Sequence, residues 1–466
     1  MSLKSAVDVA DVPVNRTKPN HVLAIVCAGI VLANLDLFIV NVALPDIARD
    51  FGGATLDDLS WVLNGYAIVY AALLVFLGRL SEGYRRDRSF LLGIAIFTAA
   101  SAACSAAGSV WMLVVFRLLQ AAGAALMTPT SLGLLLAAFP ADKRGGAVRT
   151  WTAIGGFAAA LGPVVGGLLL ILSWRWIFIV NVPIGLVALL IGWRWLPKVD
   201  GHDIPRPDAW GAALVTAGVA LLTFGMVKAN EWGWLSATIG ASLAGGVLLL
   251  AIFVVHCLRA RNPLVDPALF RIRNFASASL VMAPFSIAFS GMLLSLVLWE
   301  QGVWGWSALK TGLAIAPGPF LVPVTTLLVA GRLIQRLGPR PVVVLGLVVF
   351  AVGCLWLALG VELEPNLVGA LGGIVLTGVG VGLTLPTLMG TATASLPPSS
   401  FATGSGVVNM IRQTGFAVGV AAFVALVGAA STPLERLAAF KVAWWFMVAI
   451  TAVGVIPTLF LNQRKR

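Results

Sequence analysis

Fourteen apolar runs, each about long enough to cross a bilayer, leave this chain few ways to fold. Hydrocarbon gives a backbone amide no partner, so a crossing segment must satisfy its own hydrogen bonds as an α-helix or within a closed barrel. Runs near 20 residues match a helix; barrel strands are about half as long. The runs read 22–44, 56–78, 90–108, 111–138, 147–172, 176–196, 209–228, 236–257, 275–301, 309–331, 341–360, 365–390, 402–430 and 438–461. The composition fits: 59% hydrophobic and 11% charged, where a soluble domain carries roughly a quarter charged residues. The sequence therefore predicts an all-α integral membrane protein with 14 transmembrane helices.

The net charge of +12 does not point to nucleic acid, because the basic residues gather at the ends of the runs. With both chain ends placed in the cytoplasm, the inner segments hold 23 Lys and Arg and the outer segments six, Arg49, Arg175, Lys228, Lys310, Arg436 and Lys441. Short cytoplasmic loops are the basic ones, which sets the expected orientation in the cell (inner) membrane. Trp61, Trp111, Trp174, Trp176, Trp304 and Trp306 fall near span ends, as interfacial anchors should. Cys27, Cys104, Cys257 and Cys354 lie in apolar runs and read as buried thiols. His21, His202 and His256 have no metal-ligand spacing. The first twenty residues have no apolar core or cleavage site of a removable signal peptide.

The chain repeats itself. Gly78-Arg79-Leu80 after span 2 returns as Gly331-Arg332-Leu333 after span 10, both followed by further arginines. Gly123 precedes Pro129-Thr130 in span 4 as Gly380 precedes Pro386-Thr387 in span 12. Two six-helix bundles at that spacing leave two extra helices between them. The expected layout is a cytoplasmic tail at 1–21, an N-terminal bundle at 22–196, a linker with two inserted helices and a connector at 197–274, a C-terminal bundle at 275–461 and a tail at 462–466.

Asp36 is the one acidic residue well inside a span. A carboxylate there costs roughly 2.5–3.5 kcal/mol on insertion scales and marks a functional site by default. Arg117 in span 4 lies at matching depth, and Arg412 in span 13 lies near the midplane. A guanidinium cannot be neutralised and needs a counter-charge, carbonyls or water. A shared site for Asp36, Arg117 and Arg412 follows, as does its rival, a fixed ion pair that only orients helices. For Arg412 an anionic part of a substrate, Asp36 and helix packing all stay open as partners. Glu300, at the end of span 9, reads as a solvated rim group. Asn34, Asn41, Gln120, Met127, Asn409 and Gln413 are candidates for a substrate cavity, with core or lipid-facing packing the favoured reading for Met127. Gly162, Pro163, Gly166 and Gly167 in span 5 are either a packed seam or an ordinary kink.

Leu35-Asp36 with Ile39-Val40-Asn41-Val42-Ala43-Leu44-Pro45 resembles the helix-1 motif of the fourteen-helix drug:proton antiporter branch of the major facilitator superfamily. Gly78-Arg79-Leu80-Ser81-Glu82 resembles the superfamily's loop motif between helices 2 and 3, with Glu82 where Asp is usual. Arg117 to Ala125 resembles its helix-4 motif, with Ala121 for a Gly. Gly162-Pro163-Val164-Val165-Gly166-Gly167 resembles the antiporter motif of helix 5. Trp174-Arg175-Trp176 through Asn181-Val182-Pro183 and Arg412-Gln413-Thr414-Gly415 resemble motifs of that branch. The resemblance implies proton coupling through Asp36 and Arg117. It implies conformational gating through the loops of Gly78, Arg79, Glu82, Arg86, Arg332 and Arg336, and a bundle seam at Gly162, Pro163, Gly166 and Gly167.

No nucleotide-binding loop or soluble ATPase domain is present in the sequence, so an ion gradient is the expected energy source. A potential of 100 mV supplies ~2.3 kcal/mol per charge. The expected protein is a monomeric exporter of amphipathic small molecules, drugs or antibiotics, driven by protons and working by alternating access between two bundles. It has the lipid bilayer as partner, no nucleic acid, and no cofactor or metal. The alternatives are a transporter of a lipid, peptide, siderophore or other metabolite on the same scaffold, or an integral membrane enzyme. The enzyme would need convergent His, Ser, Cys or carboxylate groups, and the spans lack them.

Overall fold

The computed structural model describes residues 18–52, 54–201, 207–396, 401–428, 430 and 432–462. The N-terminal tail before Lys18, His202 and the basic end Arg464-Lys465-Arg466 lie outside the described residues. Among the described residues fourteen helices are long and apolar enough to cross a membrane, and there is no strand. In order they are α1 (Pro19–Asp50), α2 (Leu56–Glu82), α3 (Arg86–Ser105), α4 (Val110–Ala138), α5 (Ala141–Leu170), α6 (Trp176–Trp195) and α7 (Ala209–Trp232). There follow α8 (Ala237–Arg259), α9 (Arg273–Gly302), α10 (Ala308–Leu337), α11 (Pro339–Gly360), α12 (Leu367–Ala394), α13 (Phe401–Val427) and α14 (Pro433–Thr458). The face where α1 begins and α14 ends is called here the near face, and the opposite one the far face.

Helices that start on the far face carry side-chain caps. Thr55, Ser109, Ser236, Ser307, Asn366 and Thr432 each accept a hydrogen bond from a backbone N–H in the first turn of α2, α4, α8, α10, α12 and α14. A cap satisfies one of the four amides that a helix start leaves unpaired. The far-face start α6 has no such cap and breaks at Val180, three residues before Pro183. α10 is the other irregular span. Pro317, Pro319 and Pro323 remove backbone donors, and the helix passes through a π-type turn at Thr326–Ala330 before resuming at Gly331.

The two six-helix bundles repeat one contact. A Cβ on Gly123 of α4 would stand 2.6 Å from the backbone N of Phe97 on α3, and a Cβ on Gly380 of α12 would stand 2.6 Å from the backbone N of Phe350 on α11. Each glycine brings a helix pair to backbone contact, the packing on which membrane helices depend where no hydrophobic drive exists between them. The repeat read from Gly123 and Gly380 is thus a repeat of shape.

Two seams join the bundles. α2 lies along α13, and α5 lies along α10. The inserted pair is asymmetric. α7 packs on both α2 and α13, whereas α8 packs chiefly on α7. Near the far face, Lys228 of α7 lies 3.8 Å from Asp58 of α2, and Asn230 donates to the carbonyl of Ala425 on α13 at 2.7 Å.

At the near-face end of α7, Asp208 caps the helix through Gly211 N (2.8 Å) and also accepts from Leu264 N (2.9 Å) and meets His256 Nε2 (2.9 Å). The Asp208 carboxyl is raised by burial, but these partners outweigh that and hold it below the ordinary carboxylate range. One residue thereby ties α7, α8 and the connector together.

Candidate functional site

Asp36 sits midway along α1 with no exposed surface. Its Oδ2 accepts from Arg117 Nη1 of α4, and its Oδ1 accepts from Gln120 Nε2 of α4 (2.9 Å) and Asn181 Nδ2 of α6 (3.1 Å). The helical spacing of Arg117 and Gln120, three residues apart, puts both on the face of α4 that looks at α1. Arg117 is equally buried. Its Nη1 also donates to Gln120 Oε1 (2.6 Å) and its Nε to the carbonyl of Val62 on α2 (3.3 Å), while its guanidinium lies 4.1 Å from the ring centre of Tyr66. Gln120 Nε2 reaches on to Ser101 Oγ of α3 at 2.7 Å. The cluster therefore draws on α1, α2, α3, α4 and α6, all of one bundle.

A buried ion pair must have its remaining donors and acceptors met if it is not to cost more than it returns. Here the carboxylate is fully served, and the guanidinium is served by an acid, an amide, a carbonyl and a π face. Its Nη2 alone lacks a partner. Arg117 also borders a small central cavity of about 30 Å³, with Asn41, Asn64, Phe38, Ser290 and Phe416 among its walls. That is room for about one water molecule. The cavity lies where α1, α2 and α4 face α9 and α13, so the guanidinium touches both the buried acid and the interface between bundles. A larger apolar hollow of about 520 Å³ lies between α1 and α6, walled by His21, Ile25, Pro183, Val187 and Trp195; no member of the Asp36 cluster lines it.

Arg412 does not join Asp36, whose polar partners are Arg117, Gln120 and Asn181. It is partly buried on α13 with Tyr70 of α2 as its titratable neighbour, and its Nε has no partner. Next to it Gln413 is wholly buried with neither amide atom paired, as is Asn64 across the interface.

The remaining cavity candidates divide. Asn41 lines the central cavity. Gln120 belongs to the carboxylate cluster and not to the cavity wall. Met127 packs against α3 beside Gly93, with a side chain 1% exposed, and is core. Asn34 faces α5 at Gly155, and Asn409 bonds back to the carbonyl of Ser405 in its own helix.

Glu300 corrects a further expectation. It is 1% exposed, with neither carboxylate oxygen paired. The turn after α9 folds back over it, which a count of residues from the span end does not reveal.

Of the gating candidates, Arg79 Nη1 donates to the carbonyl of Pro263 in the connector (2.8 Å). Gly78 packs against Pro129, and Arg86 lies along Gly133. Within this loop Arg85 pairs with Asp87 (2.6 Å), which holds the Arg85 guanidinium above its ordinary range; Glu82 makes no ion pair among the described residues. Arg332 and Arg336 are exposed, without an ion pair among the described residues. Gly162 and Gly166 meet Phe38 and Ile39 of α1. Gly167 meets Ala308 and Leu309 of α10, while a Cβ on Gly312 would stand 2.4 Å from the carbonyl oxygen of Pro163. Tyr66, Ser101 and Asn64 carry no charge, and nothing in the sequence separated them from other polar residues of the spans; Asn181 stood there only as part of the motif that ends in Val182-Pro183.

Two segments of the chain, 26–318 and 276–466, match the family model of the Major Facilitator Superfamily. The chain is 34% identical over 449 residues to the cephamycin export protein CmcT of Amycolatopsis lactamdurans, covering 94% of this chain and 92% of that one. It is 32% identical over 417 residues to the tetracenomycin C resistance and export protein of Streptomyces glaucescens, covering 89% and 76%. Among solved structures it resembles a peptide transporter POT in complex with sulfate (TM-score 0.69, 15% identity, 93% and 94% covered) and a D-xylose-proton symporter (TM-score 0.65, 14% identity, 95% and 97% covered). With its two six-helix bundles and this extent of match, the chain belongs to the Major Facilitator Superfamily.

Proposed function

We propose that the chain is a proton-coupled antiporter that exports amphipathic small molecules by alternating access, with the near face in the cytoplasm and a monomer as the working unit. The observation that carries the reading is the buried Asp36–Arg117 pair, completed by Gln120 and Asn181 and touching the central cavity through Arg117. The export names of the relatives, CmcT and the tetracenomycin protein, support the direction of transport.

Asp36 is the proton carrier in this reading. While ionised it holds Arg117, Gln120 and Asn181 in place. A proton taken from the far side removes its charge and frees the guanidinium, which then turns toward the cavity. Reopening to near-side water favours the ionised form again, and the proton leaves there. Arg117 is the relay between acid and cavity. Arg412, Gln413, Asn64 and Asn41 offer the substrate polar contacts from both bundles. Gly167 and Gly312 form the far-side seal, and Arg79 with the connector holds the near side.

The decisive measurement is uptake of a panel of fluorescent amphiphiles into proteoliposomes with an imposed pH gradient. Wild type accumulates one or more of the dyes, and an uncoupler abolishes that accumulation. Asp36→Asn, which keeps shape and hydrogen-bonding capacity, still binds dye but does not accumulate it. Full gradient-driven uptake by Asp36→Asn would mean that the pair only orients helices.

A further inference from the structure

Glu300 is an acid for which the mechanism above has no use. It lies in the last turn of α9, almost wholly enclosed, and both carboxylate oxygens lack hydrogen-bond partners. Its chain neighbour Gln301 makes a bond between the two bundles, Nε2 to the carbonyl of Val42 on α1 at 3.0 Å. On the other side Trp306 N donates to the Glu300 carbonyl (2.9 Å), which folds the α9–α10 turn back, and Lys310 Nζ stands 4.0 Å over the Trp306 ring. Trp299 beneath is wedged among Trp304, Phe440 and Trp444.

The facing elements bring few charges to this place. α1 contributes Asp46 and Arg49, which pair with each other, and Asp50, which pairs with Arg175. α14 contributes Glu435, Arg436 and Lys441, the loop before α12 contributes Glu362 and Glu364, and α10 contributes Lys310. Of these, Lys310 stands over Trp306, whose backbone bonds to that of Glu300. The arginine within α13, Arg412, lies far down its helix from this end.

An ionised carboxylate without water or donors is strongly disfavoured, so this enclosure accommodates the neutral acid. Parting the far ends of α1 and α9 would break the Gln301–Val42 bond and admit water, and hydration would then favour the anion.

We propose that Glu300 is a second proton-binding site, separate from the Asp36 cluster, whose protonation latches the far ends of α1 and α9 together. On opening, the O–H bond of the acid breaks and the proton passes to far-side water; on closing, one returns. This rests on the alternating-access reading above and adds a point of far-side pH control to it, since acid on that side would favour closure whether or not substrate is present.

The test uses the full-length chain in nanodiscs, with spin-label pairs on exposed far-face positions of α1 and α9. In wild type the fraction of open distances rises with pH across about pH 5 to 9. Glu300→Gln, close in size and permanently neutral, stays closed throughout that range. Glu300→Asp retains a pH response with a displaced midpoint. A flat wild-type response, or a Glu300→Gln curve that overlays wild type, overturns the proposal. Circular dichroism of each variant confirms folding. Because the labels read the gate and not dye transport, failure of the antiport reading and failure of the latch give different results.

Discussion

Removing one partner from a buried ion pair costs more than removing both, and Asp36–Arg117 should obey this. Arg117→Met leaves an ionised carboxylate with only two amide donors, a loss on the order of 3–5 kcal/mol for pairs of this kind. Adding Asp36→Asn should recover part of that loss, so the double variant is more stable than the sum of the single effects requires. Chemical denaturation in detergent, read as a double-mutant cycle, measures the coupling; additive effects would show that the two side chains are not partners. The charged members of this cluster were legible in the sequence because a charge inside an apolar run must find a counterpart, and depth counting brought Asp36 and Arg117 to one level. Depth does not give the direction in which a side chain points. Arg412 lies inside its span as well, yet is not among the polar partners of Asp36. The role of Gln120, expected at a substrate cavity, and of Asn181, noted only within a motif, was hidden for a related reason: an amide in a membrane helix is unremarkable until its neighbour is known to be a carboxylate.

At the scale of the helix, the 14 spans were readable because apolar length alone defines them, but their ends were not. Span 1 was expected to stop near residue 44, yet α1 continues through Pro45 to Asp50, where Asp50 Oδ2 accepts from Trp174 Nε1 (2.9 Å) and Arg175 Nη1 (2.7 Å). Such anchoring contacts come from distant parts of the chain and leave no local trace. The α5–α10 seam gives the sharpest expectation at this scale. Gly312 has no space for a Cβ, with the Pro163 carbonyl oxygen 2.4 Å from where it would sit, whereas Gly240 of α8 has nothing within 4 Å. Gly312→Val should therefore force the helices apart, costing roughly 1–3 kcal/mol as overpacking does, and should shift far-face label distances across α5 and α10 outward. Gly240→Ala, matched in position near a far-face helix start, should leave both stability and distances within error. Equal behaviour of the two variants would mean that the seam yields freely.

Across the whole molecule, the linker is more than a tether. Asp208 joins α7, α8 and the connector, and the connector meets Arg79 of the N-terminal bundle. Because its partners hold the Asp208 carboxyl below the ordinary carboxylate range near ~3.9, its stabilising effect is complete above that range and disappears as pH falls through the depressed value. Hydrogen exchange of residues 260–270, corrected for intrinsic rate, should thus be steady between about pH 5 and 8 and rise below about pH 4. Asp208→Asn should raise it at neutral pH already. The twofold repeat was visible in Gly123 and Gly380, and with it the six-plus-two-plus-six order; the placement of the inserted pair was not, because their sequences carry no counterpart elsewhere in the chain. That placement makes the molecule lopsided. α7 is fastened to α2 and to α13, like the spine of a book along one edge, while the α5–α10 edge closes where backbones meet at Gly167 and Gly312. Pages turn away from their spine. On the proposed alternating-access reading, a greasy solute dissolved among the acyl chains would slip sideways into the cleft past the α5–α10 edge, without first entering water.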